Sequence, residues 1–340
     1  MWLGSARRIV IGVVAVLALG LVLAGSRFER AGQRQDRSRF PQIGHSFDVG
    51  GHTLNLSCAG DGDPTVVFET ASHQAGYSWM FIQRQVSAFA RACWYDRAGY
   101  GWSEPSPQPH TSQTIAADLH RLLQAAAIRP PYVLVGEGLA GLHTRVYTGL
   151  YPTEVAGVVF INAEDVEVLD EPEFTKGPIA KHFGSWTPYV RGAACSTILP
   201  FASSVGLARL LSSGIGTRPT PSFGLTPTQQ TELDALSDNQ TANASGELCG
   251  LEESRKQVRS AGNFGDRPLI VLASARRMPF NPPDREEKRI VEDYNNAWVG
   301  RLQPRLAALS TRGRLLVVDD GPRSHVTQAV RDLLTEIRRK

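Results

Sequence analysis

The first distinct block in the pattern of apolar and polar positions is 9–26, apolar or small throughout and free of charge. At about 18 residues it sits at the short end of what crosses a bilayer as a helix. Arg7 and Arg8 precede it and Ala24, Gly25 and Ser26 close it, flanks that suit either an uncleaved anchor or a cleaved signal peptide. Nothing amphipathic surrounds it, which argues against a buried core helix. The next block, 27–43, is polar and arginine-rich with no apolar period, and reads as a linker.

From 44 onward the pattern becomes that of a folded domain. Runs at 45–49 and 52–58 flank Gly50-Gly51, the signature of a hairpin with a two-residue turn. Short strand-like runs at 65–68, 92–95, 132–135 and 155–161 then alternate with helical stretches at 78–89, 112–127 and 139–151. Alternation of this kind makes an α/β fold, a mostly parallel doubly wound sheet with helices on both faces. After Asn162 the rhythm breaks into Pro/Ser/Gly-rich stretches and a helical run from Thr228, so 164–265 is expected to be an inserted lid. Strand, helix, strand and helix return at 269–273, 294–309, 315–318 and 326–338. The domain is therefore expected over 44–340.

Composition narrows the function classes. The 36 Lys+Arg and 33 Asp+Glu residues nearly cancel, and the arginines are scattered, so nucleic acid is not an expected partner. Arg27, Arg30, Arg34, Arg37 and Arg39 outnumber the basic residues before the apolar block, which by the positive-inside rule holds the domain in the cytoplasm. Long domains can cross regardless of flanking charge, so the side of an inner or plasma membrane stays open, and a cleaved signal would make the protein exported or periplasmic. Cys58, Cys93, Cys195 and Cys249 show no C-x-x-C spacing and suit free thiols or two disulfides. No metal or cofactor is expected.

The chemistry centres on Val133-Leu134-Val135-Gly136-Glu137-Gly138-Leu139-Ala140-Gly141, a strand running into a helix through a glycine-rich turn. This is where an α/β-hydrolase places Gly-x-Ser-x-Gly. The chain resembles that superfamily, in particular the serine hydrolases and esterases that carry Cys-Tyr-Asp-Arg-Ala-Gly-x-Gly-Trp-Ser. Here the motif reads Cys93-Trp94-Tyr95-Asp96-Arg97-Ala98-Gly99-Tyr100-Gly101-Trp102-Ser103, with Trp94 inserted. Pro131 to Gly136, Tyr151-Pro152 with Val155 to Val159, Arg267 to Leu272 and the region from Trp298 continue the similarity in order.

The resemblance implies an α/β-hydrolase fold with an inserted helical lid, and it also exposes a departure. The family's elbow usually reads Gly-His-Ser-Leu-Gly-Gly, so Glu137 replaces the histidine, Gly138 the nucleophilic serine, and Ala140 a glycine. Glycine accepts the elbow's strained backbone but supplies no nucleophile. The oxyanion donors implied are the Leu139 amide and the loop carrying Thr70, Ala71 and Ser72. His325 falls at the family's histidine. With Ser274-Ala275-Arg276-Arg277 where an acid is usual, Glu164 or Asp165 is expected to orient it. Glu137 is open to a role as nucleophile or base, or to a plain helix-dipole contact. Without the Lys-Ser/Thr ending, the turn is no phosphate cradle. In the family the second and fourth strands are neighbours, which places Cys58 near Cys93, bridged if the domain is exported; Cys195 and Cys249 form a second expected pair in the lid.

Three functions follow as alternatives. The first is a pseudohydrolase, a pseudoenzyme at the membrane that binds a small apolar or acyl-bearing, ester-like ligand without serine-based turnover. The second is an active hydrolase or lyase using His325 with a carboxylate or water. The third is a membrane-tethered scaffold.

Overall fold

The computed structural model describes residues 2–72, 74–166, 199–207, 226–229, 246–247, 249–277 and 281–339. The chain starts with one helix, α1 (Trp2–Arg39), which carries a candidate span, Ile11–Gly32, whose residues from Ile11 to Leu21 are exposed. Within the block expected as a linker, 27–39 is helical and continuous with the apolar block. Arginine, glutamine, glutamate and alanine are good helix formers and need no apolar stripe to extend a helix already nucleated. Pro41 follows closely on its end.

The domain is built on eight strands: β1 (His45–Asp48), β2 (Thr53–Ala59), β3 (Thr65–Glu69), β4 (Ala92–Tyr95), β5 (Tyr132–Glu137), β6 (Val155–Ile161), β7 (Leu269–Ser274) and β8 (Gly313–Val318). They form one sheet in the order β1-β2-β4-β3-β5-β6-β7-β8. The β1-β2 hairpin and the β2-β4 pairing are antiparallel and the rest is parallel. The interior strands are near-continuous apolar runs because side chains of period two enter a core on each face. Val67, Leu134, Val158 and Val271 enter one core. Phe68, Val135, Val159 and Leu272 enter the other.

The first face is covered by α3 (Ser112–Ala125), α4 (Ala140–Leu150) and α6 (Leu251–Ser260). The second is covered by α2 (Met80–Val86) and α9 (Val326–Arg338). Thr111 starts α3 by accepting from the Thr114 amide. Two expected helices differ in extent. The stretch expected at 78–89 opens with a tighter turn, Gly76–Trp79, and α2 ends at Val86. The helix expected from 294 begins earlier as α7 (Arg285–Ala297), because Asp284 accepts from the amides of Glu286 and Glu287. A wider turn, Trp298–Leu302, joins it to α8 (Gln303–Ala307).

Cys58 and Cys93 are opposite one another in the β2-β4 ladder and form a disulfide, with Cα atoms 4.1 Å apart. In the insert, α5 (Leu199–Ser204) and α6 are described. Cys249 is disulfide-bonded; Cys195, its expected partner, lies outside the described residues.

Candidate active site

Strand β5 turns into α4 through Gly138, whose φ of +57° is the left-handed conformation that glycine adopts freely. The Gly138 amide donates to Ile161 O at 3.1 Å, and its carbonyl accepts from Gly141 at 3.0 Å and Glu164 at 2.9 Å. The flanking glycines are set by contact distance. A Cβ on Gly136 would lie 2.7 Å from Thr144 Oγ1, and one on Gly141 would lie 2.8 Å from Ala163 Cβ. Position 138 is different, since the nearest described atom to a Cβ there is Ala71 Cβ at 3.3 Å. The turn from β5 into α4 thus presents no side chain at position 138.

Each ionisable residue expected around the elbow has a partner of its own. Glu137 accepts from Arg323 Nε at 3.0 and 3.1 Å and from its Nη2, while the guanidinium lies 4.4 Å over the Trp79 ring. That pairing leaves Glu137 neither a free base nor a helix cap. His325 donates from Nε2 to Asp320 Oδ1 at 2.7 Å, and the two side chains are 42% and 68% exposed. This corrects the expected acid. Glu164 is bound by Arg277 at 2.8 Å, and Asp165 by Arg145. The reason is visible in the loop after β7, where an arginine stands in the place usual for an acid and draws the Glu164 carboxylate to itself.

The loop after β3, where the oxyanion donors are expected, is held by Arg97, a residue not among the expected site residues. Its Nη1 donates to Thr70 O at 2.6 Å, its Nη2 to Ala71 O at 3.0 Å, and its Nε to Glu247 Oε1 at 2.7 Å. Ser72 donates to the other Glu247 oxygen at 2.8 Å. Burial works against both charges. The pair reverses the effect, so Arg97 rises above its ordinary value and Glu247 falls below its own. The loop residue His73 lies outside the described residues.

Nearby Glu69 accepts from Tyr95 at 2.9 Å, and burial pushes its carboxyl up to about 7 despite Arg97. Burial raises Asp96 to about 6, opposed by donation from the Trp102 and Gly76 amides and the Asn55 side chain. A Cβ on Gly101 would lie 2.2 Å from Asp96 Oδ2, so this segment of the motif is a packed turn. Buried His143 lies 2.9 Å from Ser112 Oγ through Nδ1, and burial drops its pKa to about 3. Arg97 was legible as part of a quoted motif. Glu247 was not, because a single glutamate in an irregular insert carries no periodic signal.

Sheet order, elbow and covering helices define the class: the chain is an α/β-hydrolase-fold protein. Its residues 64–194 match the family model for the alpha/beta hydrolase fold. Among curated proteins it is similar to the "Probable transporter efuK" of Hormonema carpetanum, 30% identical over 34% of this chain and 18% of that one. It is likewise similar to an uncharacterized vacuolar membrane protein of Saccharomyces cerevisiae, 29% identical over 35% of this chain and 21% of that one. The chain thus spans about a fifth of the length of these relatives. Among solved structures, a laboratory-evolved variant of potato epoxide hydrolase aligns with a TM-score of 0.59 and 16% identity, over 86% of this chain and 98% of that one.

Proposed function

We propose that this chain is a membrane-tethered pseudohydrolase, which binds a small apolar or acyl-bearing molecule without serine-based turnover. The observation that carries the reading is Gly138, a hydrogen-bonded strand-to-helix turn with no side chain at the position expected for the nucleophile. In serine hydrolases, loss of the nucleophile costs on the order of a million-fold in turnover and leaves only the contribution of binding and oxyanion donors. The surroundings support the same reading. His325 is engaged by surface Asp320, and Glu137, Glu164 and Asp165 are each neutralised by an arginine.

The Cys58–Cys93 bridge and the bonded Cys249 favour an oxidising compartment for the domain, against the pull of the arginines after the apolar block. The α1 helix then serves as the anchor. A panel of esters, thioesters and lactones, offered to the purified protein beside Gly138→Ser and His325→Ala, tests the reading. The expected result is saturable binding without turnover by the parent and by His325→Ala. Efficient turnover by the parent that His325→Ala or Glu137→Gln abolishes would replace this reading with the active-hydrolase one.

A further inference from the structure

The charge-free block 9–26 would rise about 27 Å as a helix, close to the roughly 30 Å hydrocarbon thickness of a bilayer. Gly25 to Glu29 therefore fall at the level of the lipid headgroups. At that level the insert packs against α1. A Cβ on Gly25 would lie 2.5 Å from Val205 O, and a Cβ on Gly206 would lie 2.9 Å from the Phe28 ring and 3.4 Å from Glu29 Cβ. Two glycines, one on each side, allow this approach. The less exposed positions of α1 here are Val22, Gly25, Ser26 and Glu29, the spacing of one helix face.

Among the described residues of the segment seated on that face, two large apolar side chains are about half exposed. Phe201, one turn before Val205, is 55% exposed, and Leu207 is 43% exposed. Arg27, Arg30 and Arg34 are exposed along the adjoining part of α1. At its far end α1 is pinned to the domain, where Trp102 Nε1 donates to Phe40 O at 3.1 Å and Gln42 donates to Asn55 Oδ1 at 2.8 Å. From Glu29 to Phe40 the helix climbs about 16 Å. The α/β body is thus held above the headgroups, and the insert is what reaches down to them.

We infer that residues 199–207 of the insert lie in the bilayer interface, with Phe201 and Leu207 set among the lipids and the neighbouring arginines facing lipid phosphates. The occupant of this apolar surface is the membrane in which α1 sits, because the surface is continuous with the span. This rests on the reading of α1 as an uncleaved anchor.

The test uses the full chain in vesicles of palmitoyl-oleoyl phosphatidylcholine and phosphatidylglycerol. The photoreactive residue p-benzoylphenylalanine is placed singly at Leu17, Phe201, Leu207 or Lys256, and lipid adducts are read by mass. Adducts are expected at 17, 201 and 207 and not at exposed 256. Gly25→Leu should remove the adduct at 201 and leave that at 17. An adduct at 17 with none at 201 or 207 overturns the inference alone. Absence at all positions overturns the anchor reading and the inference with it. Adducts of 201 to protein in place of lipid would show a protein partner and also overturn it.

Discussion

Two neighbouring regions meet at Ala71 and have opposite characters. On one side the Gly138 turn is held by its own amide and carbonyl, yet no side chain projects from position 138, and the ionisable residues expected around it are paired elsewhere. On the other, Arg97 spends its donors on Thr70, Ala71 and Glu247 inside the protein, and Glu247 accepts Ser72 as well. The buried polar groups of the loop after β3 bond to one another, while position 138 carries no side chain and the carboxylates expected near it pair with arginines. Satisfied buried polar networks stabilise a shape whatever reaction it hosts, so the proposed binding without turnover asks nothing more of this loop than it has.

The difference predicts unequal responses to single changes. Glu247→Leu strands the Arg97 charge in the interior and should cost about 3–5 kcal/mol. This would be seen as an earlier urea midpoint for the full chain in detergent. Retention of the parent midpoint would mean the pair is not closed in solution. The paired change Cys58→Ser and Cys93→Ser, which opens a link across a sequence separation of 35, should cost about 3–4 kcal/mol by the chain-entropy argument. An unreduced parent should accordingly resist alkylation at both positions.

Glu69 gives a pH signature. Its folded pKa of about 7 lies above the ordinary 4.5, so the unfolded chain ionises first as pH rises. Stability from this group is complete below pH 4.5 and declines as pH climbs to about 7. Glu69→Gln should flatten that decline, and a pH series of melting temperatures checks it. Gly138→Ser should cost least, about 1–2 kcal/mol, from the left-handed backbone and a small retreat of Ala71. A larger loss than that of Glu247→Leu would reverse the comparison.

Much of the fold was legible because apolar periods and turn residues coincide: Gly50-Gly51 marked the hairpin, and the runs at 132–135 and 155–161 marked central strands. The sheet neighbours Cys58 and Cys93 followed from resemblance. The helical 27–39 was hidden because propensity, not apolar pattern, extends α1. The strand-to-helix turn was legible at Gly136-Glu137-Gly138. Its electrostatics were not, since Arg323, Arg277 and Arg145 reach their carboxylates from elsewhere in the sequence, and spacing says nothing of such pairs.

The absence of an activated nucleophile is tested most directly by intact-mass analysis of the full chain after treatment with a fluorophosphonate. The parent should gain no adduct, and Gly138→Ser should bind as the parent does, any adduct it gains falling on residue 138. A stoichiometric adduct on the parent, at Ser72, Ser103 or any other residue, would contradict the pseudohydrolase account, because it would reveal a working nucleophile that the Gly138 turn does not supply.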